Sequence, residues 1–294
     1  MGVLQKLLSR PLPLSRLGKG WALFLGTFWL SLTLVLASPQ VAQAQSWLNL
    51  LFQGIQYLQL ANLSDQQEVR IGQQVNQQLI SQGQFVPVRN SALNQYINEL
   101  GQRLAQTSSR PQIPYRFQVA KDDSVNAFAT MGGYIYINTG LIMRADNEAE
   151  LASVIAHEIA HIAARHSVGR MRDLALSEGL MSATGLREST LVQMMVTVGV
   201  NLPMSRDAEL EADELGLKNL IQAGYAPGAM VTFMKKLQSP GFAPPELLST
   251  HPLTQKRVRA LQASIDPQQA YQGEGLDAKA YQAQIRSLLG KPNR

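Results

Sequence analysis

The chain lacks cysteine altogether, and this absence excludes disulfide bonds, thiol catalysis and cysteine-ligated zinc. Histidine is almost as scarce, with four residues among 294. Any metal ion must therefore be held by histidine, aspartate or glutamate side chains. Three of the four histidines lie in one short segment, VIAHEIAHIAARH at 154–166, which makes that segment the first candidate for a functional site.

A charge excess of one sign is also missing from most of the chain. The net charge is +5, but residues 1–44 contain four basic residues and no acidic ones, so the remainder is nearly neutral. The basic balance therefore gives no support for nucleic-acid binding. No repeat with a fixed period is visible either, which argues against a solenoid.

The N-terminus has the features of a targeting segment. A basic region is followed by the apolar run 21–37, and Ala42-Gln43-Ala44 fits a small-x-small cleavage site before Gln45. This pattern predicts a cleaved export signal over 1–44. The alternative is a retained membrane anchor, because the apolar run is at the lower limit for crossing a bilayer. Both interpretations place the rest of the chain outside the cytoplasm.

The part of the chain after the export segment shows mainly helical periodicity, with one strand-rich part around NAFATMGGYIYINTG at 126–140. Gly132-Gly133 between two strand-like runs predicts a hairpin. We expect one α+β domain over 45–266, predominantly α-helical, with a small antiparallel sheet and a central helix that carries HEIAH. Residues 267–294 are predicted to form a polar C-terminal tail with one helix at about 277–289.

The histidine segment is predicted to be a helix from Asn147 to about residue 167. At about 100° per residue, His157 and His161 share a face and Glu158 lies at its edge. Two imidazoles one turn apart can reach a single ion, while the glutamate is placed to contact a water beside it. His166 falls at about 180°, among aliphatic residues, so we interpret it as a hydrogen-bonded core or helix-end histidine and not as a ligand.

A third protein ligand is expected because catalytic zinc sites usually have three. In the helix predicted after Ser205, Glu209 and Asp213 lie on the apolar side, whereas Glu211 and Glu214 lie on the charged side. Burying two carboxylates without partners would cost several kcal/mol, which a metal ion and an imidazole N–H would offset. We therefore predict Glu209 as the third ligand and Asp213 as the acceptor that orients a ligand histidine. The alternative is a partly exposed helix with ordinary ion pairs.

The fourth histidine lies in STHPLTQKRV. Pro252 favours a helix start, so His251 is expected at a helix N-terminus, with Arg257 on the same helix. His251 could be a fourth metal ligand in a resting state or a hydrogen-bond donor to substrate or oxyanion, and Arg257 could serve the oxyanion. A capping histidine and a surface arginine are the alternative.

Two further segments carry functional hypotheses. The strand YIYIN is an expected edge strand to which an extended substrate adds, or else ordinary sheet; its residues are Tyr134, Ile135, Tyr136, Ile137 and Asn138. The apolar, methionine-rich segment 171–202 is either a lid, plug or membrane-facing patch, or plain core packing.

Together, HEIAH, SRDAELEAD some fifty residues later and STHPLTQKRV resemble the gluzincin metallopeptidases related to the CAAX prenyl protease and the HtpX-type heat-shock protease. NAFATMGGYIYINTGLI before the first motif fits the same family, and the resemblance covers roughly 64–261. The membrane-embedded members have several long transmembrane helices, whereas this chain has a single apolar run, and in this respect it resembles the soluble, exported branch of the family. Some members of that branch carry a C-terminal helical-repeat domain, for which the segment after Pro267 is too short.

The resemblance implies a zincin-like domain that binds one Zn²⁺ through His157, His161 and Glu209, supported by Asp213. It also implies that His251 and Arg257 belong to the site. The expected activity is endopeptidase cleavage of exported or membrane-associated, misfolded proteins, with Glu158 as general base. Expected partners are polypeptides, including unfolded envelope proteins, and the membrane surface; nucleic acid is not expected.

Two other functions compete with this one. A periplasmic chaperone or assembly factor could use the same cleft to bind unfolded chains without cleaving them. A structural metal protein would close its site with four protein ligands. An aminopeptidase is a further variant, although no acidic pocket for a free amine is evident in the sequence.

Overall fold

The computed structural model describes residues 60, 62–177, 187–239 and 245–289. The expected export segment, 1–44, lies outside these residues. Within them, none of the helices combines the length and the apolar character that a membrane crossing requires.

Helices make up most of the described chain. They are α1 (Asp65–Ser81), α2 (Ser91–Ala105), α3 (Thr139–Arg144), α4 (Glu148–Ala163), α5 (His166–Ser177), α6 (Glu188–Val196), α7 (Arg206–Gln222), α8 (Gly228–Leu237), α9 (Pro245–Thr250), α10 (Gln255–Ser264) and α11 (Ala278–Leu289). The sheet strands are β1 (Arg116–Ala120), β2 (Ala127–Ala129) and β3 (Tyr134–Asn138). The expected α+β architecture, predominantly helical with a small sheet, is confirmed.

The sheet is mixed and not antiparallel throughout, so this part of the fold expectation is wrong. Its strand order is β1-β3-β2, with β1 parallel and β2 antiparallel to β3. The predicted hairpin joins β2 to β3 through Gly132 and Gly133, whose φ values of 75° and 97° favour glycine. β3 lies between β2 and β1 and runs parallel to β1.

This order also overturns the expectation that Tyr134–Asn138 is an edge strand. Both sides of β3 are paired in the ladder, with Tyr136 opposite Gln118 on one side and Phe128 on the other. All five residues of β3 are buried. A strand whose backbone groups are already paired on both sides has none left for a substrate.

Side chains of β3 alternate between two apolar clusters. Ile135 and Ile137 pack in a first cluster around α2, α4 and α8, whereas Tyr134 and Tyr136 belong to a second cluster. The second cluster includes the buried apolar residues of 171–202, namely Met171, Ala175, Leu191, Val192, Met194, Met195, Val196 and Val198. These residues are core packing; 178–186 lie outside the described residues.

The helix that carries HEIAH begins as predicted and ends earlier. The Asn147 side chain accepts from the Glu150 N–H at the start of α4. The helix stops at Ala163, and Arg165 has a left-handed φ of 59° before α5 begins at His166. The chain therefore changes direction inside the segment that was expected to be one helix.

The tail beyond residue 266 contributes to the same structure. Its helix α11 buries Tyr281 and Ile285 in the first cluster. The Tyr281 hydroxyl donates to the carbonyl oxygen of Ile142 over 2.6 Å. This contact ties α11 to α3, just after the sheet.

Candidate metal centre

The site is built where α4 and α7 pack against each other. Ser205 caps α7 as predicted, with its side chain accepting from the Ala208 N–H. Gly216 faces α4 so closely that an added Cβ would lie 3.1 Å from both Cα and N of His157. This approach of two backbones brings the acidic face of α7 against the histidine face of α4.

Four potential ligand atoms converge at this contact. One atom each from His157, His161, Glu209 and His251 lie within 4.8 Å of one another, and all four residues are buried. The Nε2 atoms of His157 and His161 are 3.0 Å apart. The Glu209 carboxylate lies 3.6 Å from the first of these atoms and 3.3 Å from the second.

The donors suit zinc in type, spacing and charge. Ligand atoms about 2.1 Å from a tetrahedral zinc ion are about 3.4 Å apart, close to the separations found here. Three buried carboxyl groups, on Glu158, Glu209 and Asp213, face one buried guanidinium, that of Arg257. At formal charges this leaves an excess of two negative charges, which one divalent cation would neutralise.

Asp213 and Arg257 support the ligands from behind. The Asp213 Oδ1 atom lies 3.0 Å from His157 Nδ1, the ring nitrogen that faces away from the ligand cluster. Arg257 donates from Nε and Nη2 to the two Asp213 oxygens, each over 2.7 Å, and its Nη1 contacts Glu209 Oε2. The predicted Asp213–histidine contact is thus present, and Arg257 is in contact with two carboxylates.

The surroundings shift the pKa values of the ligand groups in opposite directions. Burial lowers the pKa of His157, but hydrogen bonds that its ring donates to Asp213 and Glu209 outweigh this effect and raise that pKa to about 10. Burial holds the pKa of His161 well below its usual value. Although burial raises the pKa of Glu209, the surrounding imidazoles bring it below the ordinary range. The carboxylates of Glu209 and Asp213 therefore create a site that attracts positive charge.

Glu158 makes an ionic contact, with 3.6 Å between its Oε1 and Nε2 of His251. It is 1% exposed, and neither carboxylate oxygen has a hydrogen-bond partner among the described residues. It lines an open pocket together with His157 and His251. A buried carboxylate without a hydrogen-bond partner is costly, so its presence beside a ligand cluster indicates a chemical role.

The rest of the pocket is mostly apolar, with Ser153 and Arg257 as its polar members. The apolar side chains that line it are those of Val154, Met230, Phe233, Met234, Leu237, Leu247 and Leu253. The pocket therefore offers an apolar wall on one side and the Glu158 carboxylate on the other.

His251 lies at the end of one helix and not, as was expected, at the start of the next. It follows α9, with its N–H bonded to the Leu247 carbonyl, and α10 begins only after Thr254, which caps it. The expectation of a helix N-terminus at His251 is therefore wrong, because the threonine side chain and not the proline starts the helix. His251 Nδ1 lies 3.0 Å from Glu209 Oε1.

Sequence periodicity placed His166 away from the site, and the structure brings it to the outer side of a ligand histidine. Its Nδ1 lies 2.8 Å from His161 Nδ1, and its Nε2 lies 3.3 Å from Glu211 Oε2. The prediction assumed one unbroken helix through His166, whereas α4 ends before Arg165. The remaining predicted site residues of Tyr134–Asn138 lie in the sheet and are not among the ligands.

Comparison with known proteins adds a family match and several relatives. Residues 91–265 match Peptidase family M48, which covers more than half of the chain. The "Beta-barrel assembly-enhancing protease" of Escherichia coli K12 is 33% identical over 214 residues, covering 67% of this chain and 44% of that protein. This chain thus spans less than half the length of that relative.

Two other relatives are shorter matches. "Mitochondrial metalloendopeptidase OMA1" of Schizosaccharomyces pombe is 30% identical over 173 residues, covering 57% of this chain and 51% of that protein. "Metalloprotease LoiP" of Escherichia coli K12 is 32% identical over 197 residues, covering 64% and 76%. All three names describe proteases.

Proposed function

This chain belongs to peptidase family M48, whose members are zinc metallopeptidases, and on that premise we propose that it is an endopeptidase that cleaves exported or membrane-associated polypeptides. The observation that carries this proposal is the buried Glu158 carboxylate, which accepts no hydrogen bond among the described residues and lies beside a cluster of three imidazoles and the Glu209 carboxylate. The relatives' names add that proteins of this kind act on other proteins. We propose an extracytoplasmic location, which the basic and apolar pattern of residues 1–44 supports.

In the proposed mechanism, His157, His161 and Glu209 would hold zinc, which when bound would supply a Lewis acid for a peptide carbonyl and lower the pKa of a water. Glu158 accepts the proton of the attacking water at a carboxylate oxygen. It then delivers that proton to the nitrogen of the leaving amine. The absence of other hydrogen bonds to Glu158 leaves its oxygens available for both transfers.

Asp213 and Arg257 act as positioning residues. Asp213 fixes the ring of His157 through Nδ1, which directs Nε2 toward the ligand cluster. The Arg257 guanidinium donates hydrogen bonds to Asp213 and to the Pro252 carbonyl, and it forms an ion pair with Glu209. These contacts favour a role in holding the two carboxylates over the alternative of oxyanion binding.

His251 is proposed as a fourth donor of the resting site. Its contact with Glu209 and its place in the ligand cluster support this role. It comes from a short connection between α9 and α10, not from the α4–α7 core that supplies the other ligands. Its departure would open one coordination position for substrate, as a catalytic site requires.

The substrate is proposed to place an apolar side chain in the pocket beside Glu158. The lining by Phe233, Leu247 and neighbouring apolar residues supports this preference, because polar side chains would lose hydration there without gaining partners. Segments with exposed apolar residues are typical of unfolded proteins. The pocket therefore fits the expectation of unfolded or misfolded substrates.

The decisive experiment compares the wild-type protein with Glu158→Gln on denatured casein, with peptides identified by mass spectrometry. Glu214→Gln, an exposed glutamate on α7, is the matched control. Wild type and control should cleave in a chelator-sensitive way, whereas Glu158→Gln should keep one zinc per chain and lose cleavage. Cleavage retained by Glu158→Gln would overturn the base assignment. Binding of casein without any cleavage by the zinc-loaded wild type would favour the chaperone alternative.

A further inference from the structure

The two histidines of the HEIAH motif have different supports behind them. His157 faces the Asp213 carboxylate, at 3.0 Å from its Nδ1. His161 instead faces another imidazole, with 2.8 Å between its Nδ1 and the Nδ1 of His166. The far nitrogen of His166 lies 3.3 Å from the Glu211 carboxylate. A line of three side chains thus runs outward from His161.

Metal binding at His161 would fix the protons along this line. A ligand histidine that uses Nε2 carries its proton on Nδ1, where it is a hydrogen-bond donor. His166 must then accept at its own Nδ1 and carry its proton on Nε2. That proton points to Glu211, which can only accept when ionised. Every donor along the line therefore meets an acceptor.

The backbone around Arg165 makes this contact geometrically available. Had α4 continued, His166 would lie about 180° from His157 and away from the ligands. Arg165 instead adopts a left-handed φ of 59°, a conformation that is unfavourable for a non-glycine residue. Its guanidinium donates to the Leu63 carbonyl and pairs with Glu68 over 2.8 Å. These contacts stabilise a turn that returns His166 to His161.

We propose that His166 is a positioning residue for the metal centre, which fixes the ring and the tautomer of His161 while Glu211 fixes His166. The proposal rests on the proposed zinc site and assigns His166 no contact with the metal or the substrate. Its action is indirect, through the hydrogen bond that a ligand histidine commonly makes to an outer partner.

The test compares two substitutions at position 166, one that keeps a hydrogen-bond acceptor and one that removes it. In His166→Asn, the side-chain oxygen takes the place of Nδ1 and preserves the acceptor, whereas His166→Leu removes it with a similar volume. Zinc affinity is measured by competition with a chromophoric chelator, and ligand geometry by the visible absorption of the cobalt-substituted protein. The free energy of unfolding in chelator separates loss of the site from loss of the fold.

The expected result is a zinc affinity about 10–100-fold weaker in His166→Leu, with an altered cobalt spectrum. His166→Asn should remain close to wild type in both measurements. Glu211→Ala should weaken zinc binding less than His166→Leu does, and Glu214→Ala on the same helix should not change it. Unfolding in chelator should differ little between His166→Leu and His166→Asn.

Unchanged zinc affinity in His166→Leu would overturn the proposal, and so would an equal loss in His166→Asn and His166→Leu. The outcome is independent of peptide cleavage. If the expected zinc and cobalt results appear in a protein that cleaves no polypeptide, the positioning role stands and the proposed peptidase function fails. If cleavage occurs and His166→Leu binds zinc normally, the positioning role alone fails.

Discussion

Replacement of Gly216 by alanine tests whether the close approach of α4 and α7 creates the metal centre. An added Cβ would lie 3.1 Å from the Cα and the N of His157 and 3.3 Å from the carbonyl carbon of Ala156. These atoms belong to the backbone of a buried helix and cannot rotate away. The two helices must therefore separate locally by about 0.3–0.5 Å to reach ordinary contact distances.

That separation is large for a metal site. Gly216 lies about 4.5 Å along the helix axis from Asp213 and about 10 Å from Glu209, so both carboxylates move with it. Metal–ligand distances vary by only about 0.2 Å in well-formed sites. We expect zinc affinity to fall at least about tenfold, which corresponds to about 1.4 kcal/mol. Overpacking costs about 1–3 kcal/mol of stability, against a helix-propensity gain of about 1 kcal/mol.

Gly169→Ala on α5 is the matched control, because the nearest atom to its added Cβ is a guanidinium nitrogen of Arg172 at 3.7 Å. This variant should be neutral or more stable by up to about 1 kcal/mol, with unchanged zinc affinity. Stability is measured by urea denaturation in chelator, and zinc affinity by chelator competition. If Gly216→Ala matched Gly169→Ala in both measurements, the reasoning about helix approach would be refuted.

Three further predictions concern the same site. Removal of zinc by a chelator should lower the free energy of unfolding by about 2.7 kcal/mol relative to protein in zinc at a hundred times its Kd, and calorimetry that shows no shift would contradict the site. Arg257→Ala should cost about 3–5 kcal/mol in urea denaturation because it leaves Asp213 and Glu209 buried without their cation, while Arg257→Lys should recover part of this loss; equal stability of wild type and Arg257→Ala would count against it. Phe233→Ala enlarges the apolar pocket and should shift the cleavage preference toward larger apolar residues at unchanged zinc affinity, as read from peptide mass spectrometry; an identical peptide pattern would separate the pocket from specificity.

Part of the site follows from local periodicity and could be predicted. His157 and His161 are one turn apart, and Glu209 and Asp213 are likewise one turn apart, so each pair shares a helix face whatever the rest of the chain does. The choice of Glu209 over Glu211 followed from which side of α7 is apolar. The family resemblance rested on the same local motifs.

Other features depended on contacts between distant residues. β3 was predicted as a strand, but pairing with β1, whose start precedes it by eighteen residues, makes it central and closes it to substrate. His251 was predicted near the site, but its place after α9 depends on where Thr254 caps the next helix. Arg257 was expected at the oxyanion, yet the buried carboxylates of a helix forty-four residues away engage its guanidinium.

The sequence by itself determined the chemistry of this protein: which side chains can bind a divalent ion, and which carboxylate has the offset of a base. These properties repeat with the 3.6-residue period of the helix, so they are fixed within each segment. The tertiary structure alone decided how the two helices meet at Gly216 and which residue supports His161. A left-handed residue at Arg165 reverses the direction of His166, and the contacts of its guanidinium with the distant Leu63 and Glu68 help to stabilise that conformation.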